Sequence, residues 1–169
     1  MTAATHDFLG YEELPIPEDA RPGPGWTDSM LEMAEHIGAY RTLQLVDRFG
    51  GMRIYIPKDP EKGKSYGRRG SIVDLVGIGT AAKLSAVYGS EYYFFPVGQT
   101  AVRRAKRAPI LAAVREGTLS GNEAAAMLKM QRAAFAKLIN TKAEGLDGDG
   151  EVPQIRRHDP RQIDLFGEE

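Results

Sequence analysis

The chain has no cysteine among its 169 residues. Disulfides, thiolate nucleophiles and cysteine-based zinc sites are therefore excluded. It has no apolar run near the roughly 20 residues that span a bilayer. Its opening residues, M-T-A-A-T-H-D-F-L-G, lack the basic-then-apolar order of a signal peptide. The expectation is a cytoplasmic protein with no membrane partner. Histidine is scarce: His6, His36 and His158 lie in three separate segments with no ligand spacing. No Ser/His/Asp or paired-carboxylate arrangement stands out, so the residues point to no catalytic site, no metal and no cofactor. The run Asp147-Gly148-Asp149-Gly150-Glu151 has too few carboxylates for a calcium loop with its twelve-residue frame, and reads as an acidic linker.

Net charge is also nearly absent, at −1, but it is unevenly spread. Residues 1–35 sum to −7, residues 36–99 to +4, residues 100–142 to +7 and residues 143–169 to −5. A basic middle between acidic ends suits a polyanionic partner at the centre.

Residues 1–25 are acidic and rich in proline and glycine, and read as an extended or disordered arm. From Trp26 the apolar spacing predicts a helix capped by Thr27 or Asp28 and broken at Gly38. A second helix follows, stopped by Gly50-Gly51, and then a short strand, R-I-Y-I, ended by Pro57. Residues 58–70 form a flexible basic loop. The same order then recurs. L-V-D-R-F-G-G-M-R-I-Y-I-P (45–57) lies over L-S-A-V-Y-G-S-E-Y-Y-F-F-P (84–96) at a constant offset of 39, with Gly38 on Gly77. The repeated unit is helix, glycine break, helix, glycine, strand, proline. A lone short strand leaves its backbone groups unpaired, so residues 53–56 and 92–95 are expected to pair as an antiparallel ribbon about a pseudo-twofold axis. The stretch G-I-G-T-A-A (77–82) fits the dinucleotide fingerprint only superficially, because both copies read as helix–break–helix and no βαβ unit follows.

Residues 99–107 are strongly basic, with Arg103, Arg104, Lys106 and Arg107. Pro109 predicts a kink there or a fresh helix that starts on it. Residues 119–140 read as two short helices meeting at a tight turn. Ser120 and Glu123 form an S-x-x-E capping box. Ala124 and Ala125 are small where a second helix must cross. Leu128, Met130, Phe135 and Leu138 face inward, and Gln131, Arg132, Ala133, Lys137 and Asn140 are left on the outer face. This is the layout of a helix-turn-helix that offers one helix to the major groove of double-stranded DNA. Two features are unusual for it: Lys129 stands where glycine is common, and Met130-Gln131 is a poor helix start. An ordinary helical hairpin with a polar face is the alternative.

The fold expected is thus mainly α. A duplicated helix–helix–strand unit (26–97) forms a short β-ribbon and is followed by a helix-turn-helix (98–142), between the acidic arm (1–25) and a flexible acidic tail (143–169). Near the C-terminus, Gln162-Ile163-Asp164-Leu165-Phe166 resembles the short peptide by which bacterial proteins dock on the DNA polymerase sliding clamp. Its Gln162, Leu165 and Phe166 would be the anchors, and a replication-associated interaction protein is the second functional reading.

Residues from about 84 to 140 resemble the Mor transcription activator family, named for the middle-operon activator of phage Mu and including its late activator. The resemblance rests on a helix ending in Y-G-S with a strand ending in proline, the basic helix 99–116, and the two-helix unit 120–140, in that order. F-G-G-M-R-I-Y-I-P in the first copy is closer still to the family's strand motif. The resemblance implies a phage or prophage activator in a bacterial host that binds promoter DNA, commonly as a dimer, and recruits bacterial RNA polymerase. The family's strand and glycine hinge are held to touch or shape the DNA. Carried over, that would involve Gly50, Gly51, Arg53 and Tyr55, or Tyr92 and Phe94. Because the strand unit occurs twice, this chain is expected to be a homodimer or a pseudo-symmetric monomer.

Overall fold

The computed structural model describes residues 13–140. Residues 1–12 of the arm, the whole acidic tail and the peptide with Gln162, Leu165 and Phe166 lie outside the described residues.

The chain is mainly helical, with one small antiparallel sheet. Helix α1 (Asp28–Ile37) starts where the Thr27 side chain accepts a hydrogen bond from the Met30 N–H, and it ends at Gly38. Helix α2 (Ala39–Phe49) follows immediately, and strand β1 (Arg53–Ile56) comes next. The basic loop is ordered into two 3-10 turns, Pro60–Lys62 and Gly67–Arg69, and Tyr66 between them meets Phe49 edge-on at 6.1 Å. Helix α3 (Ile72–Val76) opens on a reciprocal Ser71–Asp74 capping box. Helix α4 (Ile78–Tyr88) and strand β2 (Glu91–Phe94) complete this part.

Helices α2 and α4 are both 11 residues long. Each is entered through a glycine of positive φ, Gly38 at φ 84°, ψ 159° and Gly77 at φ 80°, ψ 162°. These backbone conformations are open to glycine and strained for other residues. The two strands pair antiparallel, with Arg53 opposite Phe94, Ile54 opposite Tyr93, Tyr55 opposite Tyr92 and Ile56 opposite Glu91. The second strand therefore starts one residue earlier than its repeat suggests. The ends of the ribbon are closed alike: the Gly51 N–H donates to the Phe95 carbonyl at 2.9 Å, and the Ser90 N–H donates to the Ile56 carbonyl at 2.8 Å. Gly51 and Ser90 both have positive φ, 78° and 70°.

Three apolar clusters hold these elements. The first joins α1–α4 to the inner face of the ribbon through Phe49, Ile54, Ile56, Leu84 and Phe95, all at 0–1% exposure. Also on that face, Tyr93 stacks on Tyr88 at 4.6 Å between centroids. Burial pushes both phenols above their usual range, and the neighbouring Glu32 adds to this. The second cluster seats Ala101 and Val102 on Met30, Leu43 and Val46. The third gathers Ile110, Leu111, Ala124, Ala125, Leu128 and Phe135.

Helix α5 (Gln99–Arg115) belongs to the second and third clusters at once. It runs unbroken through Pro109, where the sequence predicts a kink or a new start. Apolar anchors on both sides of the proline, Val102 and Ile110, hold it as one helix although the ring removes a backbone donor. Helices α6 (Gly121–Met127) and α7 (Arg132–Asn140) pack against its second half.

Of the arm, residues 13–25 lie extended against the helices: Leu14 is 6% exposed inside the third cluster, while Ile16 and Ala20 pack on the second. The segment is a strap laid from the α5–α7 cluster back to the α1–α2 cluster. Proline-rich composition disfavours helix and sheet, but it does not prevent an extended segment from burying single apolar anchors.

Candidate nucleic-acid interface

The unit α6–α7 is built from its caps inward. At the start of α6, the Ser120 N–H donates to Glu123 Oε2 at 3.0 Å and the Glu123 N–H donates to Ser120 Oγ at 3.2 Å. Ala124 and Ala125 are buried at 0% and 2%, and small side chains there let α7 approach. The helix ends in a Schellman turn: the Met130 N–H donates to the Ala125 carbonyl at 2.8 Å, and the Lys129 N–H to the Ala126 carbonyl at 3.0 Å. Such a turn needs a left-handed residue at Lys129, and Lys129 has φ 51°. Met130 then folds onto the cluster, the apolar contact that commonly accompanies the motif.

Helix α7 begins at Arg132, with the Phe135 N–H donating back to the Gln131 carbonyl at 2.9 Å. Phe135 faces inward at 3% exposure. Gln131, Arg132, Ala133, Lys137 and Asn140 are all exposed. The five residues left outward by the sequence reading are therefore exposed, two cations and two amides among them, and Ala134 and Ala136 are exposed as well.

Helix α5 divides its cations. Arg103 is exposed and Arg104 and Arg107 are half-buried, but Lys106 is 4% exposed. Its Nζ donates to Asp47 Oδ2 of α2 at 2.8 Å. The expectation that Lys106 holds phosphate is thus corrected: the lysine is turned into the α2–α5 interface. The sequence carried the signal, since Val102, Lys106 and Ile110 recur every four residues on one apolar face. Asp47, the other half of the pair, went unnoticed.

The ribbon brings four of the residues suggested by family resemblance onto one face. Arg53, Tyr55, Tyr92 and Phe94 point away from the core, opposite Ile54 and Ile56. Tyr92 and Phe94 are 61% and 60% exposed. The Arg53 guanidinium lies over the Tyr92 ring at 4.9 Å, and Tyr55 meets Tyr92 at 5.3 Å. Gly51 lies at the end of the ribbon beside Val97. A Cβ on Gly50 would come within 2.5 Å of the Val46 carbonyl oxygen, so the position is a close backbone crossing. The strand end also borders a shallow cleft lined by Tyr55, Pro57, Pro60, Lys64 and Tyr66 together with α3 and α4.

No family model, no curated protein and no solved structure matches this chain. The G-I-G-T-A-A stretch sits at the junction of α3 and α4 rather than between a strand and a helix, which removes the geometric basis for a dinucleotide site. Among the described residues, no group of three or more His, Asp or Glu is placed to hold a metal. No single helix there is long and apolar enough to cross a membrane.

Proposed function

We propose that this protein is a sequence-specific DNA-binding transcription regulator that reads duplex DNA with α7 as the second helix of a helix-turn-helix. The observation that carries the reading is the outer face of α7. Gln131 stands exposed just before its start and Arg132 on its first turn, Lys137 and Asn140 follow, and a capped, close-packed α6 holds the helix. Arginine pairs bidentately with guanine and glutamine or asparagine with adenine in the major groove, so these side chains suit base-edge contacts. Arg103, Arg104 and Arg107 on α5 supply phosphate contacts, which position without specifying.

In the same reading, residues 26–97 are a duplicated unit with the ribbon on its pseudo-twofold axis. The matching lengths of α2 and α4 and the matching glycine geometry support this. So does the register: Ile54 faces Tyr93, its own counterpart at the offset of 39. A promoter activator of the Mor type that recruits RNA polymerase remains the favoured class on the sequence resemblance. A single chain that already contains a strand pair would carry one α7 per pseudo-dimer.

Selection of bound sequences from a random duplex pool tests the reading. Enrichment of a short motif is expected, and recovery of unenriched sequence overturns it. A palindromic motif would mean that two chains bind together, and a single asymmetric motif that one does.

A further inference from the structure

The outer face of the ribbon is an exposed aromatic surface that the reading of α7 does not use. Three rings, Tyr55, Tyr92 and Phe94, share it, and two of them are about 60% exposed. Isolated exposed apolar residues need no explanation, but a contiguous patch marks an interaction site. Val97, 63% exposed, extends the patch past the end of β2, beside Gly51.

Two cations stand by these rings. Arg53 lies on the Tyr92 ring, and Lys64 lines the cleft that Tyr55 borders. Lys58, two residues past the end of β1, is exposed. Residues 53–70 hold six basic and two acidic side chains. One of the two acids, Asp59, is engaged by Lys62 at 3.5 Å. Rings that can take a planar group, with cations beside them, match the two chemistries of a nucleic-acid single strand, open base faces and a phosphate backbone. A regular duplex is a poorer fit, because its base faces are already stacked.

We propose that the outer face of the ribbon binds single-stranded nucleic acid, stacking unpaired bases on Tyr92, Phe94 and Tyr55 while Arg53, Lys58 and Lys64 hold the phosphates. This site stands apart from α7 and does not depend on duplex reading.

The test uses the full chain and fluorescence anisotropy of labelled strands about twelve nucleotides long. The probes are a mixed-sequence DNA strand, the RNA strand of the same sequence, the corresponding duplex, and an abasic DNA strand with the same phosphates. The base-bearing strands are expected to bind about tenfold or more tighter than the abasic strand. The double variant Tyr92→Ala, Phe94→Ala is expected to lose about tenfold or more of that affinity, while Tyr92→Phe keeps it. Both side chains are solvent-exposed, so the variant is expected to keep the wild-type circular dichroism. Arg132→Ala leaves single-strand binding unchanged, which separates this site from α7. A preference between the DNA and RNA strands identifies the natural source, and equal binding assigns stacking on bases in general. Equal binding of abasic and base-bearing strands overturns the proposal, as does unchanged binding by the double variant. A double variant that only converts a dimer to a monomer in sedimentation, without affecting strand binding, also overturns it and assigns the patch to a second copy of the chain.

Discussion

Lys106 of α5 and Asp47 of α2 meet at 2.8 Å, the lysine side chain 3% exposed and the aspartate 34%. The inequality decides what each substitution does. Asp47→Ala leaves an ammonium sealed between two helices, and is expected to destabilise by about 2–4 kcal/mol, near the range for breaking a buried pair. Lys106→Met fills the same space with an apolar side chain and leaves a carboxylate that water reaches. It is expected to change stability by less than about 1 kcal/mol. Urea unfolding of the two variants checks the asymmetry; equal losses would show that packing, and not the charge, dominates.

The same lysine gives a control for DNA binding. Arg132→Ala is expected to cost about 1–3 kcal/mol against the selected sequence and to relax preference at one position. Arg103→Ala and Arg104→Ala are expected to weaken specific and random duplexes alike and to lower the salt slope by about 1 each. Lys106→Gln should leave the slope as it is, because the side chain does not reach the surface. Binding titrations at several salt concentrations separate the three behaviours. An Arg132→Ala protein that binds specific and random duplexes as before would remove α7 as the reader.

Lys129 holds a left-handed conformation at φ 51°. That conformation costs a non-glycine residue about 1–2 kcal/mol, and glycine would lose about 0.5–1 kcal/mol of it to backbone entropy. Lys129→Gly is therefore expected to stabilise by about 0.5–1 kcal/mol, and a β-branched Lys129→Val to destabilise. Thermal unfolding measures both, and a lower melting temperature for the glycine variant would contradict the turn.

Tyr88 carries a pH prediction. Burial raises its phenol in the folded chain, whereas the unfolded chain ionises it near pH 10. The neutral form is thus favoured by folding. Stability from this group is complete below about pH 10 and is lost as pH rises above it. Tyr88→Phe keeps the ring against Tyr93 and removes the titration, so its urea midpoint is expected to fall less steeply between about pH 9 and about pH 11. Parallel alkaline limbs for the two proteins would count against it.

Much of this architecture was legible because it depends on short-range signals. Thr27 and Ser120 mark helix starts, Gly38 and Gly77 mark breaks, and the offset of 39 points to the strand pairing. What escaped depends on distant partners. Leu14 sits in a proline-rich run whose composition argues for disorder, and nothing local announces the cluster that receives it. Lys106 was counted as charge, although its spacing from Val102 and Ile110 placed it inside. The outward face of α7 could be read because Phe135 and Leu138 fix its inward face.

The strap has a consequence for how the chain is made. Leu14 is synthesised well before the helices that enclose it, whose contributions to the third cluster extend to Phe135. At roughly 5–20 residues per second, Leu14 waits about 6–24 s before Phe135 has been added. During that interval its apolar side chain has no permanent place. The contact also closes over nearly the whole described chain, the kind of long-range closure that slows folding. The α5–α7 cluster thus closes on a residue made long before its helices. A fragment cut before α5 would lack that closing residue.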